Sequence, residues 1–259
     1  MIADLHVHTT FCDGANTPEE MVLAAIEKNL GCIGFSAHSY VDFDSDYCLT
    51  PSAAPQYRDE IYRLKEKYKD KIKILFGLEQ DFVSAPPEFS CDYTIGSVHY
   101  VECGGRFLPI DIDLETTKNI ADKYFGGDFY ALCEKYYSYV GDIIEKTNAD
   151  IIGHFDLIKK YNLKNCLFDE KNERYIRAYR AAIDKLIAYG RPFEINTSAI
   201  SKGLSEPYPS CDILRYLKKK GAKVILSSDS HTAASLAFEF GKWEKYCRDL
   251  ELDIFRPDF

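Results

Sequence analysis

Six histidines stand in short clusters with carboxylates along this chain. His6 and His8 occur in the run DLHVH, and Asp229 and His231 repeat the same i, i+2 spacing in VILSSDSH. Residues two apart on a strand project from the same face, so each pair can contact one cation. Imidazole and carboxylate are ligand types that suit Zn²⁺, Mn²⁺ and iron. The spacing therefore indicates metal binding.

The other candidate ligands also follow short apolar runs bounded by Gly, Pro or Asp. They are Asp13 in FCDG, His38 in GFSAHS, Glu79 in LFGLEQD, His99 in TIGSVHY and His154 in DIIGHFD. A single histidine is more often a core or surface residue whose hydrogen bonds are satisfied. Because all six histidines stand at the end of a predicted strand, we interpret them as one metal site. A tetrahedral zinc takes only four ligands, so this set implies two or three cations, with Glu79 as a bridge between two of them.

The apolar runs predict seven strands, at 2–7, 32–37, 72–78, 93–98, 150–153, 192–195 and 223–227. Several lack alternation, which is typical of parallel strands covered on both faces. Periodicity of 3.6 predicts helices over about 18–29, 55–69, 129–147, 170–189, 210–220 and 235–248. This alternation predicts an α/β fold, a barrel or a doubly wound sheet, as a single domain over residues 1–259. The connections 39–54, 80–91 and 100–128 are long for loops without regular structure, which is typical of functional or mobile insertions, and each is expected at the carboxyl-end rim of the barrel.

Composition excludes several classes of protein. The 259 residues carry 32 basic and 41 acidic side chains, a formal net charge of −9, which argues against a nucleic-acid partner. We find no run approaching the roughly 20 apolar residues that span a bilayer, and the start MIADLHVH lacks the pattern of a signal peptide. Nine scattered cysteines without a CxxC pair are typical of reduced, packed thiols. We therefore expect a cytoplasmic protein without a membrane partner.

The ordered ligand series, from HxH to Asp229-x-His231, resembles that of the polymerase and histidinol phosphatase (PHP) family over residues 2–231. The segments FCDGANTPEEM, GSVHYV, GHFDLIKKYN and FEINTSAI are similar to its monofunctional histidinol-phosphatase branch. The resemblance implies a distorted (β/α)7 TIM-like barrel. It also implies a metal-dependent phosphatase that hydrolyses a small phosphate monoester, L-histidinol phosphate, in histidine biosynthesis. Ala37 departs from the family pattern, in which many members carry Asp or Glu at this position, so a hydrogen bond that could tune metal affinity is lost.

The resemblance also implies how the ligands divide among three metals, Zn, Mn or Fe. The three sets are His6, His8, Glu79 and Asp229; Glu79, His99 and His154; and Asp13, His38 and His231. A hydroxide bridging the first two metals would attack phosphorus, which makes Glu79, Asp229, His99 and His154 the catalytic ligands. Every histidine is then a ligand. The leaving group would take its proton from a metal-bound water, a nearby Asp, Lys or Tyr, or solvent.

Candidate substrate contacts lie on the predicted rim loops. The basic candidates for the phosphate are Arg106, Lys159, Lys160 and Lys202. Asp42, in a run with Asp44 and Asp46, is a candidate for a cationic amine such as that of histidinol. A solvated surface role is the alternative for each of these residues. Glu194 and Asn196 alternate on the sixth predicted strand, where they would either support the site or pack and cap.

Other functions remain compatible with the same ligand set. A PHP phosphoesterase could act on nucleoside monophosphates, cyclic diesters or single-stranded DNA ends, although a DNA end would favour a basic, aromatic groove. An amidohydrolase could use similar ligands, with one or two metals. A non-catalytic metal-binding module would bind metal and hydrolyse no phosphate ester.

Overall fold

Eight strands form one curled parallel sheet in the computed structural model, which describes residues 2–256. In spatial order they are β1 (Ala3–Asp4), β2 (Cys32–His38), β3 (Lys73–Asp81), β4 (Tyr93–Ser97), β7 (Ile151–Ile152), β8 (Phe193–Asn196), β9 (Lys223–Ser227) and β10 (Asp253–Ile254). The helices are α1 (Pro18–Glu27), α2 (Ala54–Tyr68), α3 (Leu114–Phe125), α4 (Phe129–Thr147), α5 (Glu173–Leu186), α6 (Ser198–Ser201), α7 (Cys211–Lys219) and α8 (Phe240–Asp249). The seven predicted strands are all present, and the predicted α/β barrel class is confirmed.

The sheet curls until the segment after β1 meets the segment after β9. A parallel bridge joins Val7 to Ser230, where the His8 amide donates to the Ser230 carbonyl at 2.8 Å and the Ser230 amide donates to the His6 carbonyl at 3.0 Å. At the opposite end of β9, the short strand β10 pairs with Lys223 and Val224. The two ends of the curled sheet are therefore joined at the carboxyl end by the segments that follow β1 and β9. The short strand β10, which the sequence patterns did not predict, lies beside β9 at the amino end.

The inward face of β3 shows how one strand serves both packing and the site. Leu75 and Glu79 are four residues apart, so both side chains lie on the same face. Leu75 packs in a buried cluster with Leu5, Ile95 and Ile225 from neighbouring strands, whereas Glu79 lies nearer the carboxyl end. The amino half of the barrel is thus filled with apolar side chains, and polar side chains gather above this layer.

Helix α1 follows the first rim loop and fixes its far end. Thr17 caps the helix, with its hydroxyl accepting from the Glu20 amide while the Glu20 carboxylate accepts from the Thr17 amide, as the sequence predicts. Met21, Val22 and Ala25 are buried on the side that faces the sheet. The loop carrying Asp13 is therefore held between a strand end and a capped helix.

The long connection 100–128 contains a hairpin and a helix, neither of which the sequence patterns predicted. Strands β5 (Tyr100–Cys103) and β6 (Arg106–Pro109) pair in antiparallel fashion around Gly104 and Gly105, both at positive φ, and α3 follows. Two glycines between alternating runs are a hairpin signal, and the Asp113 side chain caps α3. The hairpin and α3 give this part of the rim a regular scaffold. Within residues 2–256, no helix is long and apolar enough to cross a membrane.

Gly14 lies where the first rim loop folds back on its own backbone. A Cβ there would stand 2.4 Å from the Thr9 nitrogen and 2.5 Å from the His8 carbonyl carbon. Gly14→Ala should therefore lower the free energy of unfolding by about 1–3 kcal/mol through overpacking, as measured by urea denaturation. Gly241→Ala is the matched control, because no atom lies within 4 Å of its added Cβ in α8 and helix propensity favours alanine. Equal stability of the two variants would contradict this interpretation.

Candidate metal centre

All six histidines and the three predicted carboxylates meet at the carboxyl end of the barrel. Glu79 is at the centre and is only 1% exposed. Its Oε1 lies 2.9 Å from His154 Nε2 and 3.6 Å from His99 Nε2. Its Oε2 lies 2.8 Å from His38 Nδ1 and 3.2 Å from His6 Nε2. Both oxygens of one carboxylate therefore face imidazole nitrogens, which is the arrangement expected of a bridging ligand.

A second group gathers around Asp13, at the outer side of the site. Asp13 Oδ1 lies 3.6 Å from both His8 Nδ1 and His38 Nε2, and Asp13 Oδ2 lies 3.1 Å from His231 Nε2. Asp229 connects the two groups, because its Oδ1 is 3.2 Å from His8 Nε2. The outer group is more open than the centre around Glu79.

The donor atoms form three groups that each fit a cation. The groups are His6, His8 and Glu79; His38, Glu79 and His99; and His8, Asp13, His38 and His231. In each group the possible ligand atoms all lie within 4.8 Å of one another. The groups overlap with the sets that the family resemblance implies, but His8 and His38 each take part in two of them.

Unpartnered buried atoms supply an independent test of this fit. His6 Nε2, His8 Nε2 and Glu79 Oε2 are all buried and have no hydrogen-bond partner among the described residues. Such atoms destabilise a fold unless something binds them. Imidazole nitrogens and carboxylate oxygens that converge on one space suit a divalent cation. The residues present therefore fit metal binding.

The charge states also suit coordination. Burial, reinforced by the neighbouring His231 and His38, lowers the pKa of His8 to about 3, so this imidazole is neutral and one of its ring nitrogens has a lone pair free to bind. Burial by itself would raise the pKa of Glu79. The surrounding histidines, His6 first among them, instead hold it well below its usual range. The central carboxylate is therefore ionised.

Glu194 contacts two of the candidate ligands, His6 and His154. Its Oε1 is 2.5 Å from His6 Nδ1, and its Oε2 accepts from the His154 amide at 2.6 Å. The hydroxyl of Ser227 donates to the same carboxylate. Of the two roles expected for Glu194, support of the site is the one its contacts provide. Because Nδ1 of His6 is occupied, its Nε2 faces Glu79.

Comparable contacts hold His99 and Asp229. His99 Nδ1 is 2.7 Å from Asp81 Oδ2, and the same carboxylate oxygen accepts a hydrogen bond from the backbone amide of His99. Asn196 Nδ2 and Ser198 Oγ donate to Asp229 Oδ2 at 3.2 and 3.1 Å. Asp81 is not among the site residues predicted from the sequence. Its i, i+2 relation to Glu79 on one face of β3 is the signal that could have found it.

The predicted substrate contacts are placed in different ways. Lys159 is buried beside Asp156, with Nζ 3.3 Å from Asp156 Oδ2. Lys160 donates to the Asp111 carboxylate at 3.0 Å, and the charges of His99, Lys160 and His154 outweigh burial to lower the pKa of Asp111. Lys160 is thus held close to the histidine cluster.

The other three substrate candidates are exposed. They are Asp42 in the loop after β2, Arg106 at the start of β6 and Lys202 at the end of α6. Burial by itself would raise the pKa of Asp229, whereas the charge of His6 and then that of Lys202 lower it. Lys202 is therefore a basic candidate whose charge acts on Asp229. Ala37 is buried in β2, and its amide donates to the Tyr57 hydroxyl at 3.4 Å.

The curled parallel barrel and its histidine–carboxylate rim define a class of metal-binding α/β proteins. The family profile described as the PHP domain matches residues 4–198, which is more than half of the chain. The chain therefore belongs to the PHP domain family, as its ligand series predicts.

Three relatives illustrate the similarity. The histidinol-phosphatase of Lactococcus lactis is 31% identical over 248 residues, which are 89% of this chain and 84% of that protein. A Listeria monocytogenes structure assigned as the histidinol phosphatase HisK matches with a TM-score of 0.81 at 22% identity, over 93% of this chain and 99% of that one. The Lactococcus lactis HisK structure, complexed with Zn, L-histidinol and phosphate, matches with a TM-score of 0.66 at 24% identity. This match covers 98% of this chain and 95% of that one. The two structures show a shared fold.

Glu194→Gln tests the support of the metal ligands. The amide keeps the shape of the side chain but removes the negative charge of the carboxylate that accepts a hydrogen bond from His6 Nδ1. Zinc affinity should therefore fall by about 10- to 100-fold, as measured by competition with a chromogenic chelator. Glu66→Gln is the control, because the Glu66 side chain is 80% exposed. Unchanged affinity in Glu194→Gln would contradict the assigned role.

Proposed function

We propose that this protein is a metal-dependent phosphatase that hydrolyses L-histidinol phosphate to L-histidinol and phosphate in histidine biosynthesis. The observation that carries the proposal is the set of converging, unpartnered donors around Glu79. The Lactococcus lactis relative named histidinol-phosphatase supports the reaction, and the related structure with Zn, L-histidinol and phosphate supports the ligands. A cytoplasmic location belongs to the same proposal.

The site would hold two or three divalent ions, Zn, Mn or Fe. We assign His6, His8, Glu79 and Asp229 to the first; Glu79, His99 and His154 to the second; and Asp13, His38 and His231 to the third. When bound, such ions neutralise a phosphate ester and activate water for attack on phosphorus. Glu194 and Asp81 keep the ligating nitrogens of His6 and His99 turned inward. The charge of Lys202, after that of His6, helps to keep Asp229 ionised against the effect of burial.

The proposal is tested by kcat/KM across a panel of phosphate esters with each metal. The value of kcat/KM for L-histidinol phosphate should exceed the values for nucleoside monophosphates and diesters by about 100-fold if the pocket binds the polar groups of this substrate. Chelation should abolish hydrolysis, and added metal should restore it. Preference for nucleotides or diesters would favour the alternative PHP phosphoesterase. Full metal content without hydrolysis of any ester would indicate a binding module.

Asp42→Asn tests recognition of the substrate amine. Asp42 is exposed on the loop after β2, whereas Asp44 of the same loop accepts from the Tyr100 hydroxyl at 2.8 Å. Loss of one exposed charge should raise KM for the amine-bearing ester by roughly two- to fivefold and leave KM for a matched neutral ester unchanged. Asp59→Asn, at a side chain 69% exposed on α2, is the control. Equal changes for both esters would exclude an ionic contact between Asp42 and the amine.

A further inference from the structure

Tyr208 is a buried tyrosine whose hydroxyl has no hydrogen-bond partner within residues 2–256. The residue is 1% exposed. Burying a hydroxyl without a partner lowers stability, so this arrangement requires an explanation. By contrast, the buried hydroxyls of Tyr137 and Tyr175 bond to each other at 2.9 Å.

The backbone determines which way Tyr208 faces. Tyr208 and Asn196 form an antiparallel bridge, with amide-to-carbonyl distances of 3.0 and 2.6 Å in the two directions. Directly opposed residues of an antiparallel pair carry their side chains on the same face. The Asn196 side chain donates to Asp229 at the metal centre. The Tyr208 ring therefore lies on the side of the β8 connection that faces this centre.

The surroundings of Tyr208 keep its proton in place. Burial raises the pKa of the hydroxyl well above its usual range, and the carboxylates of Asp156, Asp111 and Asp229 raise it further. The ammonium of Lys159 lies 5.8 Å from the centre of the ring. The hydroxyl is therefore a donor held protonated, and the group that completes the site must offer an acceptor.

We propose that the Tyr208 hydroxyl donates a hydrogen bond to a phosphoryl oxygen of the bound ester. The assignment rests on the proposed phosphatase function. It explains both the position of Tyr208 opposite Asn196 and a buried donor that the protein leaves free. It also gives the phosphate a neutral donor, in addition to the charged groups of the rim.

Tyr208→Phe removes only the hydroxyl, and three measurements separate its possible roles. Because no protein partner is lost, the melting temperature of the metal-free variant should equal or exceed that of the wild type. For the zinc-loaded variant, the Kd of inorganic phosphate should rise roughly tenfold or more, since a hydrogen bond to a charged group is lost. The value of kcat/KM for L-histidinol phosphate should fall by a similar factor.

Tyr175→Phe is the matched control, because it also removes one buried tyrosine hydroxyl. Its loss leaves the Tyr137 hydroxyl unpaired, so the melting temperature should fall by about 2–4 °C or more. Phosphate affinity should remain that of the wild type. The pair thus distinguishes a hydroxyl reserved for a ligand from one that holds the fold.

Each contrary outcome has a distinct meaning. A melting temperature of Tyr208→Phe reduced as in Tyr175→Phe would show that the hydroxyl is structural, for example through an internal water shared with Asp156, and would overturn the proposal. Unchanged phosphate affinity would overturn it as well, even if kcat/KM fell. If the wild type binds phosphate but hydrolyses no monoester, the proposed function fails, and the phosphate measurement still decides the role of Tyr208.

Discussion

The carboxylate of Glu79 is the group on which the arrangement of the rim depends. It is ionised, buried and faced by imidazole nitrogens on both oxygens, an environment that is costly unless positive charge is supplied. Protonated histidines supply it in the metal-free protein, and divalent cations would supply it in the loaded one. The hydrogen bonds of Glu194 and Asp81 follow from this constraint, because each turns a histidine so that one nitrogen faces inward.

The parallel barrel satisfies this constraint through the two-residue period of its strands. On β3, an apolar Leu75 and the candidate ligand Glu79 share a face, so the same strand packs the barrel and presents a carboxylate above it. The surrounding strands carry other candidate ligands at their carboxyl ends. The amino half of the barrel is packed with apolar side chains, and the polar side chains lie above it at the carboxyl end. The domain can therefore bring many polar side chains together without losing its apolar core.

Local patterns were sufficient to predict the histidine–carboxylate set and the strands that carry it, because residue type and a period of two are both visible in the sequence. They did not predict β10, whose two residues pair only because the chain returns to β9. The β5–β6 hairpin was missed although its paired glycines are a recognised turn signal. Tyr208 carried no signal, since its orientation depends on a bridge to Asn196 that only the folded chain forms. Pairing between distant segments is what the sequence patterns do not contain.

The bridge between Val7 and Ser230 has a consequence for the order of assembly. It joins the first barrel strand, with His6 and His8, to the segment that carries Asp229 and His231, more than two hundred residues later in the chain. Closing so long a loop has an entropic cost, so we expect this bridge to form late in folding. A chain that has not finished folding therefore lacks a complete set of ligands. High-affinity metal binding would then require that the bridge between Val7 and Ser230 has formed.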